Sequence, residues 1–132
     1  MNKLLFAIAL TLSAAPAAHA SCSGPADLAG IWTIYSVFDY PIVCTMGVLP
    51  NLTISGPSSC YSPIDNRRAA LKGNLIIDNT CHVTGTITLS ISQYQSTSRR
   101  ILAAINTTKN GMSGIAYSTS LYTGNQFTAV KQ

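Results

Sequence analysis

Apolar and polar side chains alternate along residues 81–92, whose sequence is CHVTGTITLSIS. The odd positions carry apolar or small residues such as Val83 and Ile87, whereas the even positions carry His82 and a series of Thr and Ser residues. Successive side chains of a β-strand point to opposite faces. The pattern therefore predicts a half-buried antiparallel strand with an apolar face on a core and a hydroxyl face in solvent.

Several other segments are rich in β-branched and aromatic residues, and turn-forming residues separate them. The pair Asp78-Asn79 leads directly into the strand just described, and Asn110-Gly111 marks a tight hairpin. No stretch after residue 20 has a helical period. The other predicted strands are residues 31–38, 71–78, 100–106, 112–120 and 126–131. Residues 43–48 and 52–55 are predicted to form either one bent strand or two short ones.

This order of strands and turns is typical of a meander, in which each strand pairs with the next. We predict an all-β fold, namely a small antiparallel up-and-down β-barrel of about seven or eight strands with disulfides, because closure removes exposed strand edges. A two-sheet sandwich is the alternative closure. Residues 56–70, which contain two prolines and Cys60, are predicted to form a long surface loop, and such loops often carry function.

The N-terminus has the organisation of a secretory signal. Lys3 precedes an apolar run at residues 4–12, and Ala18-His19-Ala20 is a small-x-small cleavage sequence. We therefore predict a signal peptide at residues 1–20 and a single domain at residues 21–132, secreted or periplasmic. No later stretch approaches the roughly 20 apolar residues that a membrane-spanning helix needs.

Four cysteines, Cys22, Cys44, Cys60 and Cys81, follow the predicted signal. An even number of cysteines in an oxidising compartment predicts two disulfides, and three pairings are possible. The close cysteine pairs of metal sites are absent, so we expect neither a metal nor another cofactor.

The charge of the chain argues against nucleic acid as a partner. Eight Lys and Arg residues against four acids give a net charge of +4, without the dense basic stripe that nucleic-acid binding uses. Arg67-Arg68 and Arg99-Arg100 could form a patch that attracts anions. Solvated charges that discourage aggregation between strands are the favoured interpretation of both pairs.

Residues suited to catalysis are sparse. His82 is the one histidine after residue 20, no G-x-S-x-G motif is present, and the four Asp residues show no pairing of the kind that glycosidases use. We therefore expect a protein that is not an enzyme.

The segment Gly30-Ile-Trp32 at the start of the first predicted strand resembles the opening of lipocalin-like and avidin-like barrels. In those families the Trp closes one end of the barrel, and a basic residue on the final strand lies across it. The resemblance implies that Lys131 places a cation over the ring of Trp32. It implies a fold but no particular ligand.

A second resemblance involves Ser113-Gly-Ile-Ala-Tyr117. This segment is similar to a signature of bacterial C-type lysozyme inhibitors, which are small disulfide-linked barrels that insert a loop into the lysozyme cleft. The resemblance implies that Ser113 and, loosely, Lys131 engage catalytic carboxylates of a lysozyme.

These observations favour an exported, non-enzymatic barrel that binds a small apolar or amphipathic ligand, and the mouth of a barrel is a favoured place for a pocket. Such a protein needs no membrane span, and a protein partner is possible. The alternatives are a protein-binding module such as a periplasmic lysozyme inhibitor, which would use Ser113, Tyr117 and residues 56–70, and a structural surface protein. The candidate ligand-binding residues are Trp32, Tyr35, Tyr117 and Lys131, with Phe38, Tyr40 and Tyr122 as further aromatic walls.

Overall fold

The computed structural model describes residues 20–37, 41–118, 120 and 123–132. The chain forms a closed barrel of eight antiparallel strands, in which each strand pairs with the next and the last pairs with the first. The elements are α1 (Pro25–Leu28), β1 (Gly30–Val37), β2 (Pro41–Val48), β3 (Ser59–Ser62), β4 (Arg67–Ile77), β5 (His82–Ser92), β6 (Gln95–Ile105), β7 (Gly111–Tyr117) and β8 (Gly124–Lys131). The prediction of an all-β up-and-down barrel is confirmed, and the β1–β8 pairing excludes the sandwich.

The alternation in β5 divides the barrel wall into an inner and an outer face. Val83 is completely buried, whereas His82 and Thr84 on either side of it are exposed. The same alternation in the other strands collects a core inside the barrel. Its largest fully buried side chains include Trp32, Leu28 and Leu71.

Two of the predicted boundaries are wrong. Residues 56–70 are not one long loop, because β3 lies within them, between β2 and β4, and β4 already begins at Arg67. Residues 52–55 do not form a strand and contribute only the isolated bridges Val48↔Ile54 and Thr53↔Asn74. The four residues of β3 are too few to show a period of their own, so pairing with β2 and β4 decides their conformation.

The disulfides join Cys22 to Cys81 and Cys44 to Cys60. The first connects the segment before α1 to the turn between β4 and β5. The second connects directly opposed residues of β2 and β3 on the inner face. Both bridges are consistent with an oxidising extracellular compartment.

Gly85 lies in the middle of β5, opposite Leu75 of β4. Its φ of 147° is unfavourable for a side chain, and a Cβ there would overlap the carbonyl oxygen of Asn74. A glycine at this position therefore permits the close approach of the β4 and β5 backbones.

The connections lie at two ends of the barrel. The closed end carries α1, the connections β2–β3, β4–β5 and β6–β7, and the end of β8. Strands β1, β3, β5 and β7 end at the open end. In the described part of the chain, no helix has the length and apolar character needed to cross a membrane.

Candidate ligand-binding site

The closed end is sealed by Trp32, whose side chain is fully buried. Its indole Nε1 donates a hydrogen bond to the carbonyl oxygen of Leu28 at 2.8 Å, which fixes α1 across the end of the barrel. Lys131 Nζ lies 5.5 Å from the centre of the Trp32 ring and donates to the carbonyl oxygen of Asp27 at 3.1 Å. Trp32 and Lys131 are thus occupied by contacts within the protein.

Gly30 makes room for this arrangement. A Cβ at Gly30 would lie 2.8 Å from Cε of Lys131, so a larger residue would displace the lysine from the Trp32 ring. The spacing Gly30-x-Trp32 therefore has a steric reason in this chain. The Trp32 ring lies inside the barrel, and the absence of a side chain at Gly30 leaves room for the aliphatic part of Lys131.

An ion pair adds to the seal. Asp27 Oδ1 lies 3.0 Å from Lys109 Nζ, and Asp27 Oδ2 accepts from the backbone N–H of Ser23 at 2.6 Å. The hydrogen bond from Lys109, followed by that from the Ser23 backbone, holds the pKa of Asp27 below its usual value of 3.8. The contacts join the β6–β7 turn to the segment that carries α1.

The interior of the barrel holds a cavity of about 50 Å³. Pockets for small molecules usually measure about 300–1,000 Å³, so the cavity admits no more than the tip of a ligand. Side chains fill an eight-stranded barrel almost completely, so the interior leaves little of the space that a ligand needs. The side chains that fill it include Met46, Leu71, Leu75, Ile101, Met112 and Phe127.

A much larger cleft lies at the open end. This cleft, called the mouth below, has a volume of about 700 Å³, which is within the range of ligand pockets. Ile42, Leu89, Cys60 and Arg99 line both the mouth and the interior cavity, so the two spaces are adjacent. The rim of the mouth includes Tyr61, Asp65, Arg67, Arg68, Tyr94 and Gln95.

The mouth carries an excess of positive charge among its described residues, which are three arginines and one acid. Arg67 Nε lies 2.9 Å from Asp65 Oδ2, so this arginine is paired. The guanidinium of Arg68 lies 5.4 Å from the centre of the Tyr61 ring. Arg99 has no ion-pair partner among the residues that the structure describes.

The structure does not bring the four predicted ligand-binding residues together. Trp32 and Lys131 lie inside the closed end, whereas Tyr35 is 51% exposed on the outer face of β1. Tyr117 is half-buried at the end of β7, on the outer face, because its neighbour Ala116 points inward and is buried. Phe38, Tyr40 and Tyr122 lie outside the described residues.

The candidate inhibitor residues are also separated. Ser113 is exposed in the middle of β7, where it pairs with Thr128 of β8, and is not part of a protruding loop. Lys131 reaches inward to Trp32. The two residues therefore cannot present one surface to a partner.

His82, Thr80 and Asp78 form a cluster at the β4–β5 turn. Thr80 Oγ1 lies 2.7 Å from both His82 Nδ1 and Asp78 Oδ1, and Asp78 Oδ2 lies 3.7 Å from the same Nδ1. The Thr80 hydroxyl and the Asp78 carboxylate therefore both face Nδ1 of His82. In a catalytic triad the hydroxyl and the carboxylate contact different ring nitrogens. Hydrogen bonds from the Thr80 hydroxyl and then the His82 backbone hold the pKa of Asp78 below 3.8, which indicates a turn-stabilising role.

The sequence places Arg99 in a possible anion-attracting patch but favours a solvated charge, and it does not identify Arg99 as a ligand-binding residue. Arg99 lies on the inner face of β6 with Ile101 and Ala103, two and four residues later. This alternation along the sequence is the signal that could have indicated an inward-facing arginine. Arg100, by contrast, is exposed on the outer face. The interpretation as a solvated charge therefore describes Arg100 but does not describe Arg99.

The described residues contain no group of three His, Cys, Asp or Glu side chains that could hold a metal ion. Comparison of the chain with protein families, curated proteins and solved structures finds no match.

Proposed function

We propose that this is an exported binding protein that takes up a small amphipathic ligand at the mouth, without chemical turnover. The observation that carries the proposal is the continuity between a wide polar-rimmed mouth and a small apolar cavity, with Ile42 and Leu89 lining both. A ligand with an apolar end and a polar end matches an apolar cavity that opens into a polar-rimmed mouth.

The volumes define the size of the ligand. About 50 Å³ in the interior accepts only a terminal apolar group, whereas about 700 Å³ in the mouth accommodates the rest of a small molecule. Hydrophobic burial at the floor of the mouth contributes affinity, about 0.8 kcal/mol for each CH₂ removed from water. The tyrosines at the rim, Tyr61 and Tyr94, supply flat surfaces for the remainder.

Two features support export and a lipocalin-like relationship. The N-terminal residues 1–20 have the organisation of a signal peptide, and two disulfides suit an oxidising compartment such as the periplasm or the exterior. Gly30, Trp32 and Lys131 occupy one closed end, which accords with the lipocalin-like resemblance of this segment. Among the described residues no contact favours the inhibitor interpretation, since Ser113 and Lys131 lie on opposite faces of the wall.

The test uses N-phenyl-1-naphthylamine, a neutral fluorescent probe with an apolar body. We expect saturable binding to the wild-type protein and at least about tenfold weaker binding to Leu89→Trp, because the larger ring fills the junction between cavity and mouth. Leu102→Trp is the matched control, since Leu102 is 48% exposed on the outer face of β6 and its replacement leaves the mouth unchanged.

Ile91→Lys is a second variant for the case in which Leu89→Trp does not fold. Ile91 is 49% exposed at the mouth, so a polar side chain is tolerated while an apolar wall is lost. Circular dichroism checks the folding of each variant. Absence of saturable binding, or equal binding by all folded variants, contradicts the proposal.

A further inference from the structure

Arg99 occupies an unusual place for an arginine, on the inner face of β6 at the junction of the mouth and the apolar cavity. The next inner-face residue along the strand, Ile101, is buried in the core. An arginine can line an apolar surface with its stem while its guanidinium reaches a more polar space. The guanidinium of Arg99 is therefore presented where a ligand passes from the mouth to the interior.

The hydrogen bonding of this guanidinium is incomplete among the described residues. Nη1 donates to the carbonyl oxygen of Ser98 at 3.1 Å. Nε is buried and has no hydrogen-bond partner in the part of the chain that the structure describes. Buried donors are nearly always paired, so an unpaired one at a ligand pocket indicates that an acceptor arrives from outside.

The one acid among the described residues of the mouth does not supply this acceptor. Asp65 is engaged by Arg67, with 2.9 Å between Arg67 Nε and Asp65 Oδ2, and its backbone-facing Oδ1 lies 3.4 Å from the N–H of Arg67. Arg68 is held over the Tyr61 ring. The described part of the mouth therefore keeps a net positive charge, which attracts anions.

Apolar side chains border Arg99 on the interior side. Ile42 and Leu89 line both the mouth and the cavity, as Arg99 does. A ligand that brings both an anionic group for Nε and an apolar end for the cavity satisfies both surfaces at once.

We infer that the ligand is an anionic amphiphile, with a carboxylate or sulfonate head group that accepts hydrogen bonds from the Nε edge of Arg99. This inference rests on the proposed function, because it assigns the chemistry of the ligand at the same mouth. A planar guanidinium can donate two parallel hydrogen bonds to such a head group, which gives orientation as well as affinity. The apolar end of the ligand then points past Leu89 into the interior.

The experiment compares two probes that differ by one sulfonate. N-phenyl-1-naphthylamine is neutral, and 8-anilinonaphthalene-1-sulfonate is the same ring system with an anionic group. We expect the wild-type protein to bind the sulfonate at least about tenfold more tightly, as suits a charge-assisted hydrogen bond. Arg99→Gln should remove this difference, whereas Arg100→Gln should retain it because Arg100 is exposed on the outer face.

Decanoate and decanol, tested as competitors of the neutral probe, extend the comparison to a carboxylate. Stronger displacement by decanoate in the wild-type protein, lost in Arg99→Gln, supports the inference. Equal affinities for both probes, or a sulfonate preference that Arg99→Gln retains, overturn the inference while leaving the proposed function in place. Failure of both probes to bind overturns both.

Discussion

The two ends of the barrel differ in how their polar groups are satisfied. At the closed end, Asp27, Lys109 and Lys131 contact one another or the chain around Trp32. At the open end, Arg99 keeps a buried Nε without a partner among the described residues, beside a cleft of about 700 Å³. One sheet thus produces an end whose polar groups are paired within the protein and an end that keeps an unpaired buried donor among the described residues.

The difference shows that location on the inner face does not by itself define a role. Lys131 of β8 and Arg99 of β6 are both cations at inward-facing positions, the first at the closed end and the second beside the mouth. Lys131 meets an aromatic ring and a carbonyl oxygen, so its hydrogen-bonding capacity is used within the protein. Arg99 meets apolar side chains and open space, so its Nε donor has no partner among the described residues.

The largest effect that separates the two ends is expected from Trp32→Ala. The variant should lose about 4–5 kcal/mol of unfolding free energy, because it removes a fully buried ring together with the hydrogen bond to Leu28. Tyr94→Ala at the mouth, where the side chain is 87% exposed, should change the unfolding free energy by less than about 0.5 kcal/mol. Urea unfolding followed by circular dichroism measures both.

A comparable loss for the two variants would contradict the assignment of stability to the closed end. Probe binding sharpens the same comparison. Folded Trp32→Ala protein should retain the affinity of the mouth for N-phenyl-1-naphthylamine, since Trp32 does not line the mouth or the cavity.

The next effect concerns the disulfides. Removal of Cys22–Cys81 by double Ala substitution should cost about 4 kcal/mol, because this bridge spans 59 residues and restricts the unfolded chain strongly. Removal of Cys44–Cys60, which spans 16 residues, should cost about 3 kcal/mol. Urea unfolding of each double variant gives the two values.

The two bridges also differ in their relation to the mouth. Cys60 lines the mouth, so loss of Cys44–Cys60 should weaken probe binding, whereas loss of Cys22–Cys81 should leave the probe affinity of folded protein unchanged. If loss of Cys22–Cys81 weakened probe binding more than loss of Cys44–Cys60, the closed end would influence binding at the mouth.

The smallest effect is a pH dependence at the closed end. The pKa of Asp27 is lowered in the folded state by the Lys109 and Ser23 hydrogen bonds. Its contribution to stability is therefore full above the unfolded-state value near 3.8 and is lost as pH falls through the lower folded-state value. Asp27→Asn should be less stable than the wild type at pH 6. This difference in unfolding free energy should disappear as the pH falls below the unfolded-state pKa of Asp27.

Unfolding free energies at pH 6, 4, 3 and 2 measure the gap. Lys109→Gln serves as the paired variant, because it removes the first cause of the pKa shift. In the Lys109→Gln background, Asp27→Asn should lower the unfolding free energy at pH 6 by less than it does in the wild type. The double variant should therefore be only slightly less stable than either single variant. A gap that stays constant down to pH 2 would show that the Asp27 carboxylate is not responsible.

Much of the barrel could be predicted from local patterns. The alternation of residues 81–92 is long enough to define a strand and its inner face, and β5 follows it closely. The strand β3 could not be predicted in this way, because Ser59–Ser62 has only four residues and gains its conformation from β2 and β4. The pairing of one strand with another is information that no local period contains.

The candidate site was harder to predict than the fold. The resemblance of Gly30-x-Trp32 to lipocalin-like barrels placed a cation over the ring, and Lys131 does lie there, but these residues serve the closed end. Tyr35 and Tyr117 were proposed as pocket walls and lie on the outer face. An aromatic residue in a short strand can face either way until the register of its neighbours is known.

The sequence by itself determined a meander of strands with one apolar face and four cysteines, because alternation and turn residues act within a few positions of one another. The tertiary structure decided which cysteines pair, how little space remains inside, and which arginine faces that space. These outcomes depend on closing β8 against β1, and only closure brings the inner-face side chains of eight strands into one volume.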